Sequence, residues 1–135
     1  MFCREHVAQL RDHEAEFRAR GARLAAIGMG DASYARAFRD EAGIAFPLLV
    51  DAERTAYRAV ELPSASLGHL FRHANWLARK RARAGGFRQG RTGQHPFQLG
   101  GSFVLGPGDV DRYARPSESF GDALPVADLL AAVER

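Results

Sequence analysis

The sequence has one cysteine, Cys3, among its 135 residues. A single cysteine excludes an internal disulfide, a disulfide-stapled scaffold and an internal Cys-x-x-Cys redox pair. Long apolar runs are also missing, since none approaches the roughly 20 residues needed to cross a bilayer. The N-terminus lacks the charged-then-apolar pattern of a signal peptide. We therefore expect a cytoplasmic protein without a membrane partner, in which any disulfide is intermolecular.

Acidic residues are absent between residues 64 and 98, although this stretch carries seven arginines and lysines. Because the whole chain has a net charge of +3, the basicity is local. Apolar residues make up 46% and charged residues 26% of the sequence, which is typical of a globular protein. The length suits one domain with a hydrophobic core.

Cys3 lies where a helix is predicted to begin. No glycine or proline interrupts the chain from Arg4 to Arg20, the apolar residues share one face, and Gly21 supplies a stop. The first N–H groups of such a helix have no intrahelical partner and carry the positive end of its dipole. This position predicts a thiol that reacts readily as a nucleophile. The alternative is that Cys3 is a small buried hydrophobe.

The rest of the chain predicts alternating strands and helices. The first half predicts a strand at 22–28 covered on both faces, a helix capped by Asp31 or Ser33, a strand at 44–50 and a helix capped by Asp51. An amphipathic helix over 64–84 that buries Leu77 and a glycine-rich loop at 85–96 come next. The chain ends with a hairpin of 102–105 with 110–114 and a last helix opened by Pro125. The first two strands form a parallel pair joined by a helix.

This order of elements resembles a thioredoxin-like α/β domain, with a mixed parallel and antiparallel sheet flanked by helices and a basic insertion at 64–98. In that architecture a central strand leads into the cysteine-bearing helix, and here the chain starts two residues before Cys3. The strands at 22–28 and 102–105 are then expected to flank an empty slot in the sheet. Residues upstream, or a strand exchanged within a homodimer, are the alternatives for filling it.

Five short motifs occur in a fixed order: Phe2-Cys3-Arg4-Glu5-His6, Phe46-Pro47-Leu48-Leu49-Val50-Asp51, Tyr57-Arg58, Gln98-Leu99-Gly100-Gly101 and Phe103-Val104. Their order and spacing resemble the peroxiredoxin-like branch of the alkyl hydroperoxide reductase and thiol-specific antioxidant family. The likeness spans essentially the whole chain, the basic stretch included. In that branch the helix usually starts with Cys-Pro-Phe-Cys, so Phe2 and Cys3 match its last two residues.

The resemblance implies that Cys3 occupies the position of a peroxidatic cysteine. There the thiolate attacks the peroxide O–O bond, becomes a sulfenic acid and is resolved by a second thiol. Since the chain has no other cysteine, that thiol must be an external reductant. Three features depart from the family pattern: the threonine before the cysteine has no counterpart, no arginine lies in 99–102, and no proline directly precedes Ser102. The last departure argues against a disulfide reductase of the thioredoxin type.

We therefore predict a peroxiredoxin-like thiol oxidoreductase that uses Cys3, a peroxide or disulfide substrate and an external thiol reductant. The alternative is a degenerate, non-catalytic binding module that acts through its arginine-rich stretch. A solvated lid over the thiol is a further interpretation of this stretch. Because the resemblance includes the stretch, we favour the lid over binding of nucleic acid or an acidic partner with the help of Trp76 and Phe87.

Two neighbours of Cys3 are candidate site residues. Arg4 is a cation that either stabilises the thiolate or is solvated. His6 shares a helix face with Cys3, so a Cys–His pair is sterically feasible. Glu5 fits a structural role as an acid in the first turn.

No metal or cofactor is expected. His69 and His73 have the spacing of a metal-binding pair, but no carboxylate or cysteine stands near them, so we interpret them as helix-surface residues. The sequence Gly28-Met29-Gly30 follows a predicted strand, yet it lacks the further glycines and the lysine of a phosphate-binding turn.

Overall fold

The computed structural model describes residues 2–65, 73–86, 97–108 and 110–134. In chain order its elements are α1 (Phe2–Asp12), α2 (Glu14–Ala19), β1 (Ala26–Gly28), α3 (Ala32–Ala42), β2 (Leu48–Val50), α4 (Thr55–Ala59), α5 (His73–Ala84), β3 (Gly101–Gly106), β4 (Val110–Pro116) and α6 (Val126–Val133). The predictions for the His69–His73 pair, for Phe87 and for most of the loop at 85–96 lie outside the described residues and side chains.

The helix predicted over 4–20 is divided at His13 into α1 and α2. The N–H groups of Glu16 and Phe17 both donate to the His13 carbonyl oxygen, at 3.0 and 3.2 Å, so helical bonding restarts at this residue. Phe17 reaches the core, where it is 2% exposed. Gly21 follows α2 with a φ of +74°, which confirms the predicted stop.

β1 and β2 form the predicted parallel pair, with α3 between them in the chain. The Asp31 carboxylate accepts the N–H of Tyr34 at 2.8 Å and caps α3, and Gly43 ends it with a φ of +62°. The prediction that the first strand is covered on both faces is wrong. Ile27 and Leu49 lie opposite each other in the register and are 44% and 52% exposed. One face of the pair is therefore open to solvent.

β3 and β4 form the predicted antiparallel hairpin, with a register shift between Val104 and Leu105. The sequence predicts one mixed sheet, but the described strands form two separate sheets, β1 with β2 and β3 with β4. No ladder of backbone hydrogen bonds joins β1 to β3 within the described ranges, so the parallel and antiparallel pairs remain distinct. A further strand between them stays a prediction.

The two sheets share one hydrophobic core. Its buried side chains come from α1, α2, α6 and the segments before β2 and α6: Leu10, Phe17, Ile44, Phe46, Leu124, Leu129 and Leu130. Ala26, Val104 and Tyr113 pack against this cluster from β1, β3 and β4. The combination of helices, a parallel pair and an antiparallel hairpin is consistent with a thioredoxin-like fold. None of the described helices has the length and apolar character needed to span a membrane.

The helix predicted over 64–84 differs at its start and in its buried face. Ser64 is extended and forms a β-bridge with Gln98. Leu77, which is predicted to be buried, is 49% exposed, whereas Ala82 is fully buried. The five positions from Leu77 to Ala82 correspond to a rotation of about 140° around a helix. Ala82 therefore faces the protein interior while Leu77 faces solvent.

Candidate functional site

Cys3 lies in the first turn of α1, which begins at Phe2. Its side chain is an exposed free thiol, so the alternative of a buried hydrophobe does not hold. The first backbone N–H groups of a helix lack intrahelical acceptors and attract negative charge. The thiol is therefore reachable by a reactant at a helix end that favours an anion.

Arg4 points from α1 towards α3. Its Nη2 lies 2.7 Å from a carboxylate oxygen of Glu41, and its guanidinium carbon lies 4.5 Å from the ring centroid of Phe38 and 5.8 Å from that of Tyr34. The ion pair and the two rings fix this cation near the start of α1. Its charge is shared with Glu41, and its action on the thiol stays a prediction.

Glu5 is buried, with only 6% of the residue exposed, and it faces α5. Its two carboxylate oxygens accept hydrogen bonds from Arg81, at 2.9 Å from Nε and 3.4 Å from Nη2. This bidentate pair links the cysteine-bearing helix to the basic helix. The structural role of Glu5 is therefore to join α1 to α5 through this ion pair.

His6 lies one turn after Cys3, and its Nδ1 atom is buried without a hydrogen-bond partner in the described part of the chain. Burial lowers the pKa of His6, while a hydrogen bond with Gln9 and the charge of Glu5 oppose this effect. A lowered pKa keeps the imidazole neutral at neutral pH. His6 is then a hydrogen-bonding group, and a pair with Cys3 stays a prediction.

Tyr57 of α4 is a site residue that the sequence does not reveal. Burial, followed by the charges of Cys3 and Asp51, raises the pKa of Tyr57 to about 12. The charge of Cys3 is thus an electrostatic link between α1 and α4. The phenol stays protonated at physiological pH, and its hydroxyl donates to the Ile27 carbonyl oxygen at 2.9 Å. The Tyr57-Arg58 motif was the only sequence signal at this position.

Asp51 fixes the start of α4 and hence the position of Tyr57. One carboxylate oxygen accepts the N–H of Thr55 at 2.8 Å, and the other accepts those of Ala56 and Tyr57 at 2.8 and 3.4 Å. This confirms the predicted cap. Arg54, between the cap and the helix, adopts the left-handed region with a φ of +58°.

Gln98 connects α4 to the segment that leads into β3. Its side-chain oxygen accepts a hydrogen bond from Nη1 of Arg54 at 3.1 Å. Its amide nitrogen lies within 3.0 to 3.3 Å of three backbone carbonyl oxygens, those of Leu62, Pro63 and Leu99. This amide joins three segments of chain, which gives the Gln98-Leu99 motif a structural role.

The charge of Cys3 acts on the ionisation of Tyr57, whereas the three residues after Cys3 are directed elsewhere: Arg4 to α3, Glu5 to α5 and His6 to a half-buried position. Among the described residues, no group of three or more His, Cys, Asp or Glu side chains is arranged to hold a metal ion. The chemistry available at this site is that of an exposed thiol.

The model of a family described as AhpC/TSA antioxidant enzyme matches residues 9–119. The matched range contains every motif of the resemblance after the first one, and Cys3 lies just ahead of it. No curated protein matches the chain at a significant level. Since the family match covers well over half of the sequence, the chain belongs to the AhpC/TSA antioxidant enzyme family.

Proposed function

We propose that this protein is a peroxiredoxin-like thiol oxidoreductase whose nucleophile is Cys3. The observation that carries the proposal is an exposed thiol in the first turn of α1 in a chain of an antioxidant enzyme family. Both an incoming peroxide and an incoming reductant need access to the sulfur, and exposure supports that access. A reducing compartment such as the cytoplasm would supply the thiol reductant.

The proposed reaction begins with attack of the Cys3 thiolate on one oxygen of a hydroperoxide. An S–O bond forms, the O–O bond breaks, and the departing oxygen leaves as water or an alcohol after taking a proton. Cys3 is thereby oxidised by two electrons to a sulfenic acid. An external thiol then attacks the sulfenic sulfur and releases water to give a mixed disulfide. A second external thiol breaks this disulfide and restores Cys3.

The test is peroxide consumption by the purified chain with dithiothreitol as reductant. We expect turnover by the wild-type protein and none by Cys3→Ser, with circular dichroism showing that both are folded. A dimedone adduct on Cys3 after peroxide treatment, detected by mass spectrometry, identifies the sulfenic acid. Consumption that is unchanged in Cys3→Ser contradicts the proposal. Reduction of a protein disulfide in place of peroxide is the second arm of the assay.

Arg4 is proposed as a cation that supports the thiolate, and its ion pair with Glu41 offers a direct test. Glu41→Gln removes the carboxylate that lies 2.7 Å from the guanidinium, so the full charge of Arg4 becomes available. We expect faster alkylation of Cys3 by iodoacetamide in Glu41→Gln and slower alkylation in Arg4→Met. Asp40→Asn, an exposed change on the same helix, is the matched control. Equal rates in all four proteins would leave Arg4 without a role in the thiol's reactivity.

A further inference from the structure

α5 presents a surface that is cationic and apolar at once. Trp76 and Leu77 are 59% and 49% exposed, although both are large hydrophobic residues. Arg79, Lys80 and Arg83 of the same helix are also exposed. The stretch from 64 to 98 contains no aspartate or glutamate, so the helix brings no acid of its own to these cations.

The buried position of Ala82 shows which residues form the outward surface. At 100° per residue, Trp76, Leu77, Lys80 and Ala84 fall within about 60° of the direction opposite Ala82, and Arg83 flanks them at about 80°. We call Trp76, Leu77, Lys80 and Arg83 the outer face of α5. The Nζ atom of Lys80 lies 5.8 Å from the ring centroid of Trp76, so the aromatic ring and a cation are presented side by side.

α5 is held in place against α1. Arg81 lies at the edge of the outer face, and its side chain forms the bidentate pair with buried Glu5 of α1. Ala82 is fully buried between the helix and its neighbours. A binding partner therefore meets side chains on a fixed helix, which reduces the entropy lost on association.

We propose that the outer face of α5 binds an acidic protein segment that carries apolar side chains. Tryptophan and arginine are the residues that most often anchor protein interfaces, and the excess of cations selects carboxylates. Nucleic-acid binding does not account for exposed Leu77, which offers no stacking surface. A membrane-surface helix separates its apolar face from its cations, whereas here they share one face. This binding function does not depend on the chemistry of Cys3.

The test uses a synthetic peptide of alternating glutamate and leucine with a fluorescent label, titrated with the full-length protein. Trp76 is the only tryptophan in the chain, so its emission reports contact at this face directly. We expect a rise in the anisotropy of the peptide, a blue shift of Trp76 emission, and weaker binding at high salt. A peptide in which serine replaces leucine should bind at least about tenfold more weakly. Equal binding of the two peptides overturns the apolar part of the proposal.

Charge-reversed variants test whether peptide binding depends on the outer face of α5 or only on the net charge of the protein. Lys80→Glu with Arg83→Glu should weaken peptide binding about tenfold or more. Arg23→Glu with Arg36→Glu makes the same change in net charge at exposed positions outside α5, and binding should stay within about twofold. An equal loss in both double variants, no binding at low salt, or tighter binding to single-stranded DNA or phosphatidylserine vesicles than to the peptide would each overturn the proposal.

Discussion

The hydroxyl of Tyr57 donates a hydrogen bond of 2.9 Å to the carbonyl oxygen of Ile27. Parallel pairing commits the carbonyl oxygen of the next residue, Gly28, to the N–H of Asp51 at 2.8 Å. Successive carbonyl groups of a strand point to opposite edges, so the Ile27 carbonyl faces away from β2. α4 therefore supplies a donor to the edge of β1 at which the described residues place no strand. The Tyr57 side chain, whose pKa responds to the charge of Cys3, thus also bonds to that edge of β1.

Removing this hydroxyl should weaken the fold modestly. Tyr57→Phe keeps the ring and deletes the donor, so we expect a loss of about 1 kcal/mol in the free energy of unfolding. Urea denaturation followed by circular dichroism measures it. Tyr34→Phe is the matched control, because Tyr34 is 40% exposed and its ring contact with Arg4 survives the change. Equal midpoints for Tyr57→Phe and wild type would show that the bond to Ile27 contributes nothing.

The ionisation of Tyr57 should respond to Cys3. Burial is the largest cause of its raised pKa of about 12, and the negative charge of Cys3 is the second. At the high pH where tyrosines titrate, an ordinary thiol is already ionised. Cys3→Ser removes that charge, so the pKa of Tyr57 should fall while burial keeps it above 10.0. Ultraviolet absorbance of the phenolate gives the measurement, with Tyr57→Phe identifying the signal. An unchanged titration would mean that the two groups do not interact.

The same shift predicts how stability changes at alkaline pH. The folded protein holds the Tyr57 proton more tightly than the unfolded chain does, because its pKa is raised from 10.0 to about 12. Ionisation of Tyr57 therefore leaves the free energy of unfolding unchanged below pH 10.0, the pKa in the unfolded chain. It lowers that free energy as the pH rises from 10.0 towards about 12. The fall should be smaller in Tyr57→Phe, which cannot ionise. Parallel pH curves for the two proteins would contradict this assignment.

Features that depend on a few neighbouring residues could be predicted from the sequence. The caps at Asp31 and Asp51, the stop at Gly21 and the hairpin all follow from local patterns. Each needs only hydrogen-bonding side chains or turn residues at fixed offsets. The start of α1 next to Cys3 belongs to the same class, because the absence of glycine and proline after it is visible in the sequence.

Features that depend on distant segments could not be predicted. Glu5 and Arg81 are 76 positions apart, so nothing in the first turn indicates that its acid is buried against a basic helix. α5 buries Ala82 and leaves Leu77 facing solvent, contrary to the apolar spacing of the segment. Tyr57 and Cys3 are far apart in the chain, so neither segment indicates that the charge of Cys3 acts on the phenol. Long-range packing decided each of these three cases.

The pair of Glu5 and Arg81 should respond unequally to removal of its two members. Glu5 keeps only 8% of its side chain exposed, whereas Arg81 keeps 57%. Arg81→Met leaves a buried carboxylate without its partner, while Glu5→Gln leaves a guanidinium that water can solvate. We expect a loss of roughly 1 to 2 kcal/mol for Arg81→Met, below the cost of a fully buried pair because Arg81 is half exposed, and a smaller loss for Glu5→Gln. Arg79→Met is the control for removing a cation from α5. A larger loss for Glu5→Gln than for Arg81→Met would reverse this account.

His6 should make the protein sensitive to mild acid. Burial lowers its pKa from 6.5, so the folded state binds the imidazole proton less tightly than the unfolded chain does. The contribution of the neutral imidazole to stability is complete above 6.5, the pKa in the unfolded chain. It is lost as the pH falls from 6.5 through the lower pKa of the folded protein. His6→Gln cannot take up that proton, and its free energy of unfolding should change less between pH of about 6.5 and about 5.5, a window above the ordinary range of carboxylates. Urea denaturation at several pH values measures the slope. His13→Gln, on a side chain that is 44% exposed, controls for the removal of a histidine from this part of the chain. If His6→Gln has the same slope as the wild type, the imidazole of His6 is not the group that senses acid.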